Sequence, residues 1–341
     1  MRKNKMAEIS LAILGMGRLG TSIGLALKRY MREGGSHRFS ITGYDTVSSY
    51  AKTAKQMQAI DDIKNRPQEA VKGKDIIIIA MPYGEVETVY QMIAPNLRDG
   101  TVILDLSTLK QSPMQAVEKL LSPEVHVVSV AAVVNPKYLF DGVNETDRAT
   151  EDYFDKGMMM LMPTVKCAQQ AVTLAMDFSQ LLGATPQFFD PSEHDALIAA
   201  TELLPALLGV AYFYTMCHGD GWLDTQRLSN PFFGVLSRPL FDLHPDDLRA
   251  MWLSSGSHLI RNINEMILTL TRFRDLIMEK NDDALAVALD NTSKEYQAWI
   301  NRRHNNKWKN ERPIAEAPTF GETMSGMFGN LVNIGKKDKD K

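Results

Sequence analysis

Gly15-Met16-Gly17-Arg18-Leu19-Gly20 carries three glycines at a spacing that suits a phosphate. The first permits a tight turn, the second lets backbone approach a pyrophosphate, and the third lets a helix pack closely on a strand. An apolar run, residues 9–14, precedes the glycines and an apolar helical segment, 21–27, follows them. The motif therefore stands between a strand and a helix, the context such a turn requires. The helix start offers unpaired amides and a positive dipole end to a diphosphate. A second apolar run, 39–44, ends at Asp45. A carboxylate there accepts hydrogen bonds from both ribose hydroxyls of NAD and repels the 2′-phosphate of NADP, so NAD is the expected cofactor.

Two further loops are expected to line the same site. Met81-Pro82-Tyr83 follows the run 75–80 and is expected to cover the adenosine or the nicotinamide side. Ser107-Thr108-Leu109-Lys110 follows the run 101–106, and its hydroxyls and Lys110 are expected near the nicotinamide. Both lie at carboxyl ends of expected strands, where ligands of open α/β sheets bind.

The elements that must position these residues alternate strand and helix through the first half of the chain. Runs such as Ile76-Ile77-Ile78-Ile79 fit strands buried on both faces. Residues 125–134 and the methionine run 158–162 read as further strands. The pattern predicts an α/β fold: an N-terminal Rossmann-type, doubly wound parallel sheet followed by an all-α helical domain. In the second half, Leu259, Ile263, Met266, Leu270, Phe273 and Ile277 alternate spacings of four and three, one stripe along a helix. A second helix is expected from about Asp282. Residues 196–214 are apolar nearly all round, which predicts a buried central helix. The expected domains are a dinucleotide-binding domain over 1–165, a helical substrate and dimerisation domain over 166–312, and a disordered tail over 313–341.

Composition excludes several classes. Thirty-eight basic residues stand against 41 acidic, a net charge of −3 with no basic stripe, so no nucleic-acid partner is expected. Two cysteines, Cys167 and Cys217, cannot build a disulfide framework or a four-cysteine zinc site, and no metal is expected. No uncharged apolar run reaches the ~20 residues of a membrane span, and the basic N-terminus lacks a signal-peptide pattern. The expectation is a cytoplasmic protein, a homodimer through its helical domain, with a small carboxylate substrate and no membrane contact. His126, inside an expected strand, and His194, near a helix start, read as structural rather than catalytic. Cys217-His218 has no accompanying oxyanion motif.

The ordered motifs GMGRLG, the run ending in Asp45, DIIIIAMP, DLSTLK and MLMPT resemble the prephenate and arogenate dehydrogenase family over roughly residues 9–300. So do Asp190-Pro-Ser-Glu-His194-Asp195-Ala-Leu-Ile-Ala-Ala, Ser237-Arg238, Trp252 and Asn262 or Asn264. The resemblance implies hydride transfer from a carboxylated cyclic hydroxy compound to NAD, with loss of CO₂, in tyrosine biosynthesis. It implies that Thr108 hydrogen-bonds the substrate hydroxyl, that Lys110 lies by the substrate, and that Arg238 holds a carboxylate. The family's His-Pro, whose histidine takes the hydroxyl proton, falls on Asn135-Pro136, or on Ala132 if counted without a gap. The family's Ser-His-Leu-Pro-His becomes Glu202-Leu203-Leu204-Pro205-Ala206. Asn135 is then expected to orient the hydroxyl. Glu202, if desolvated on its apolar helix, or a water would serve as base.

A β-hydroxyacid dehydrogenase would use a lysine from the first long helix of the helical domain, and no lysine occurs between Lys166 and Lys280. Two alternatives remain: a dehydrogenase for a different small hydroxy acid, and a catalytically silent NAD-binding sensor.

Overall fold

The computed structural model describes residues 8–305. The expected disordered tail, 313–341, lies outside them. The chain divides into two compact units, with the boundary between Pro191 and Ser192.

The first unit is built on one eight-stranded sheet. Its strands are β1 (Glu8–Leu14), β2 (Arg38–Tyr44), β3 (Asp62–Ile63), β4 (Ile76–Ile79), β5 (Val102–Asp105), β6 (His126–Val133), β7 (Met158–Pro163) and β8 (Thr185–Phe188). Helices α1 (Arg18–Arg32), α2 (Ser48–Gln56), α3 (Pro67–Val71), α4 (Val86–Ile93), α5 (Gln111–Leu120) and α6 (Gln169–Leu181) connect them. The strand order is β3-β2-β1-β4-β5-β6-β7-β8. Successive isoleucines of β4 point to opposite faces: Ile76 and Ile78 join one buried cluster with α1 and α6, and Ile77 and Ile79 join another with α4. That is why β4 reads as a continuous apolar run rather than an alternation.

Three features depart from the sequence expectation. Strand β7 runs antiparallel to β6, and β8 then runs parallel to β7, so the sheet is not wholly parallel. A parallel return needs a crossover, usually an α-helix. Residues 134–157, which join β6 to β7, contain only two short 3₁₀ turns, Pro136–Tyr138 and Thr146–Arg148, so the strand comes back reversed. The unit also continues past residue 165. Helix α6 buries Ala171, Leu174, Ala175 and Phe178 in the first cluster, and β8 adds an edge strand. The short edge strands β3 and β8 carry little apolar pattern, which is why they are silent in the sequence.

The second unit is helical: α7 (Pro191–Ile198), a π-helical stretch (Ala199–Leu203), α8 (Leu204–Cys217), α9 (Trp222–Thr225), α10 (Pro231–Ser237), α11 (Pro239–Asp242), α12 (Pro245–Ser254), α13 (Gly256–Met278) and α14 (Asp282–Asn305). Pro205 follows the π stretch and has no N–H to give the ladder, a local cause for the irregularity. Within this chain the helix expected to be buried is only partly so: α8 buries Leu204, Ala206 and Gly209, and Tyr214 is exposed. By length and composition alone, the span Pro191–Cys217 is apolar enough to cross a membrane. The expected stripe of α13 forms, but only Leu259 is buried, and Leu270 and Ile277 are exposed.

Candidate functional site

Register sets the site. Leu14 pairs with Ile79 and Ile79 with Asp105, so the loops after β1, β4 and β5 emerge side by side at the carboxyl end of the sheet. Because β1 has β2 on one side and β4 on the other, chain direction along the sheet reverses there, the point at which open α/β sheets leave a crevice.

The glycine loop has the turn that its sequence demands. Gly15 has φ +99°, and a Cβ there would lie 2.2 Å from the Ala80 carbonyl oxygen. A Cβ on Gly20 would lie 1.9 Å from the Gly15 carbonyl oxygen. Only glycine lets β1, the loop after β4 and α1 come this close. Gly17 caps α1 in an extended conformation with no side-chain cap, which leaves the first amides of the helix to other acceptors. Met16 is buried, and its amide donates to Asp45 Oδ2 at 2.6 Å; Asp45 Oδ1 accepts from the Val47 amide at 2.8 Å. Burial pushes the Asp45 carboxyl above its ordinary value, while the two amide bonds pull the other way. Asp45 thus stands at the lip of the glycine loop, where a ribose is expected. Leu19 packs against the core beneath.

The loop after β4 turns its Met81 and Tyr83 side chains inward and leaves Pro82 exposed. Ser107 is buried, its amide on Asp105 Oδ1 at 2.8 Å and its hydroxyl on the Leu109 carbonyl at 3.1 Å. Asp105 Oδ2 also accepts from Tyr90 Oη at 2.9 Å, and burial pushes that phenol well above its usual range. Thr108 is half-buried between these anchored residues.

Two expected site residues bond to nearby backbone. Lys110 is 1% exposed, and its ammonium donates to the carbonyls of Ser107, Val130 (2.9 Å) and Asp105 (3.4 Å). It ties the loop after β5 to β6, with its ammonium enclosed by these carbonyls. Asn135 caps the 3₁₀ turn that follows it. Its Oδ1 accepts from the Lys137 amide at 3.2 Å and its Nδ2 donates to the Asp152 carbonyl at 3.0 Å. Each end of that amide makes one bond to backbone, which fixes its orientation at the start of the turn.

In the helical unit, Glu202 sits on the π stretch and is exposed rather than buried on its apolar helix. Arg238 Nε donates to Asp242 Oδ2 at 2.7 Å, one turn away. His194, buried, has Nδ1 3.1 Å from Asp195 Oδ1.

One group of residues carried no sequence signal. The segment joining β6 to β7 packs along α1. Thr146 Oγ1 donates to the Met16 carbonyl at 2.7 Å, the Thr150 amide to Ser22 Oγ at 3.1 Å, and Arg29 makes two bonds to Asp155 at 2.7 and 2.9 Å. The Asp155 bonds raise the Arg29 pKa. Arg18, expected to face a cofactor through its amide, buries its whole side chain under this segment.

Residues able to hold a dinucleotide are therefore present in the first unit: the glycine turn, the amides at the start of α1 and the Asp45 carboxylate. Comparison with known proteins agrees with this geometry. The family profile described as "Prephenate dehydrogenase, nucleotide-binding domain" matches residues 23–187. Cyclohexadienyl dehydrogenase of Zymomonas mobilis is 23% identical over 200 residues, 58% of this chain and 64% of that protein. The probable arogenate/prephenate dehydrogenase of Methanocaldococcus jannaschii is 27% identical over 133 residues, 39% of this chain and 28% of that one. The matched stretch thus spans less than two thirds of either curated relative. Prephenate dehydrogenase of Aquifex aeolicus, solved with hydroxyphenyl propionate and NAD+, has the same fold, with TM-score 0.71 at 17% identity, covering 85% of this chain and 98% of that one. Synechocystis arogenate dehydrogenase gives TM-score 0.62 at 18% identity, covering 85% of this chain and all of that one. The glycine turn, the switch point and the stretch similar to the nucleotide-binding domain of prephenate dehydrogenases thus lie in one unit, and the chain shares the fold of prephenate and arogenate dehydrogenases.

Proposed function

We propose that the protein is a cytoplasmic, NAD-dependent dehydrogenase acting on a carboxylated cyclic hydroxy compound of the prephenate or arogenate type. The observation that carries this reading is the register that sets the glycine turn, the loop after β4 and the anchored Ser107-Thr108 loop side by side at the switch point. The amides of Arg18 and Leu19 would hold the diphosphate and Asp45 the ribose hydroxyls, favouring NAD over NADP. When bound, NAD supplies the hydride acceptor. Thr108, fixed by the Lys110 and Asp105 network beneath it, would hydrogen-bond the reacting hydroxyl. In the helical unit, Arg238 is the candidate for a substrate carboxylate, since a guanidinium binds carboxylates in two-point fashion. With Asn135 engaged in capping, Glu202 or a water remains the candidate base. The exposed apolar stripe of α13 supports a homodimer through the helical unit.

A second reading has its own observation. The family's His-Pro histidine falls on Asn135, which caps a turn, or on Ala132, and neither can act as base, as expected of a protein that binds dinucleotide without turnover, or of a dehydrogenase for another small hydroxy acid. The deciding experiment is NADH formation by the purified protein with NAD and prephenate or arogenate in parallel. Turnover with either establishes the activity. Intact NAD binding with no turnover on both removes it and leaves the second reading.

A further inference from the structure

The segment joining β6 to β7 crosses the glycine loop at the position a diphosphate requires. The Arg18 amide, one of the unpaired donors at the start of α1, donates to the Asn144 carbonyl at 3.3 Å. A Cβ placed on Gly17 would lie 3.6 Å from that oxygen and 3.7 Å from Asn144 Oδ1, so Asn144 covers the residue whose lack of side chain lets a diphosphate approach. The Arg18 side chain secures the arrangement. It is 1% exposed; Nη1 donates to the carbonyls of Asp141 (3.0 Å) and Val143 (2.9 Å), and Nη2 to Asp141 Oδ2 at 3.0 Å. Its guanidinium lies 5.0 Å from the Tyr138 ring centroid and 4.7 Å from that of Tyr153, inside cation–π range. Thr146 adds a bond to the Met16 carbonyl within the glycine loop itself.

We propose that residues 138–146 form a strap standing in for the cofactor's diphosphate, with Arg18 as the positioning residue that holds it closed, so that a dinucleotide binds only when the strap opens. The inference rests on the nucleotide-binding reading above and deepens it. A carbonyl oxygen is a neutral acceptor and a diphosphate an anionic one, so the ligand wins the amides at the start of α1. It does so at an apparent affinity reduced by the fraction of molecules with the strap open. The strap's hold is a sum of weak contacts, each hydrogen bond contributing about 0.7 kcal/mol net. Removing two of them shifts the closed–open balance by roughly tenfold.

The test is isothermal titration of NAD into the wild type and into the double variant Asp141→Ala, Thr146→Val. It is paired with hydrogen exchange of amides 138–146 in the wild type with and without saturating NAD. Neither substituted side chain belongs to the glycine turn or to Asp45. The expected result is a Kd for NAD about tenfold lower in the variant, and faster exchange of the strap amides when NAD binds. Equal or weaker binding by the variant overturns the strap proposal and leaves the nucleotide reading intact. So does NAD-induced protection of the strap, which would make it a clamp over the cofactor. Absence of NAD binding in both proteins overturns both. The exchange measurement needs no variant, so a failure of the double variant to fold does not spare the proposal.

Discussion

Among the described residues, the first unit buries most of its apolar side chains and the second leaves many of them exposed. Both faces of the sheet are covered, with β4, β5 and α1 contributing side chains that are fully buried. In the helical unit, Leu223, Leu228, Phe232, Ile267, Leu270, Ile277 and Leu289 face outward. Among the described residues the helical unit therefore leaves a larger share of its apolar side chains exposed than the sheet unit does. The difference separates two kinds of substitution: those at closely packed positions of the sheet unit and those on exposed apolar side chains of the helical unit.

Gly20→Val carries the largest expected effect. Its Cβ would fall 1.9 Å from the Gly15 carbonyl oxygen, and neither strand nor helix can yield without opening the glycine turn. The loss exceeds about 4 kcal/mol, the range of severe backbone and overpacking defects. Urea unfolding measures it, and a midpoint within experimental error of the wild type would show that the close approach is not real. Gly256→Ala in the helical unit is the counterpart. Nothing lies within 4 Å of its Cβ position, and in a helix alanine gains about 0.5–1 kcal/mol over glycine.

Ile267→Glu with Leu270→Glu comes next. The two side chains are 55% and 57% exposed in the single chain, so in a monomer the changes fall within about 0.5 kcal/mol. If a second copy covers α13, each new carboxylate is desolvated without a partner. At about 1–3 kcal/mol for each unsatisfied group, the dimer weakens by roughly a hundredfold or more. Sedimentation velocity over a concentration series reads this directly, and identical profiles for variant and wild type would exclude α13 from any interface.

These contrasts also explain what could be read in advance. Six strands were legible because parallel strands buried on both faces carry unbroken apolar runs, as 76–79 does. The glycine turn was legible because its geometry admits no other residue at Gly15 and Gly20. The reversal of β7 was not, since strand direction depends on whether a helix forms in 134–157, and that segment has no apolar periodicity either way. The backbone contacts of Lys110 and Asn135 were not legible for a related reason. A side chain's type tells what it can bond, but whether it meets a substrate or a nearby carbonyl is decided by packing, here the approach of Val130 and Asp152. Burial of α8 was overestimated because the sequence cannot say whether an apolar face is covered by its own chain.

Asp45→Ala tests the first unit at its ligand rather than its core. Losing a charged acceptor for the ribose hydroxyls costs about 1.5–3 kcal/mol, roughly 10- to 100-fold in the Kd for NAD. NADP, whose 2′-phosphate the carboxylate repels, loses far less. Equal losses for both, by titration calorimetry, would remove Asp45 from the ribose site. The acid limb adds a check, because burial raises the Asp45 pKa. The accepting, ionised form is lost as pH falls through that raised value, so NAD affinity declines at a higher pH than it would with an ordinary aspartate. In Asp45→Ala that decline is absent.

The smallest effect belongs to His126, at the start of β6. Burial lowers its pKa from the ordinary 6.5, with the nearby Glu124 charge opposing. A histidine held neutral in the fold binds its proton more readily in the unfolded chain. Between its ordinary and its lowered pKa the unfolded state therefore takes up more protons, and stability rises with pH across that window. Acidification from pH 7 toward 5 should lower the melting temperature of the wild type, and His126→Gln should flatten part of that slope. His37, lowered by the same cause, keeps the rest. Because both lie on strands or strand entries of the sheet, this acid sensitivity reports the sheet unit, and changes on α13 should leave it in place. A slope that vanished with Ile267→Glu and Leu270→Glu would mean that the two units do not unfold as separate bodies.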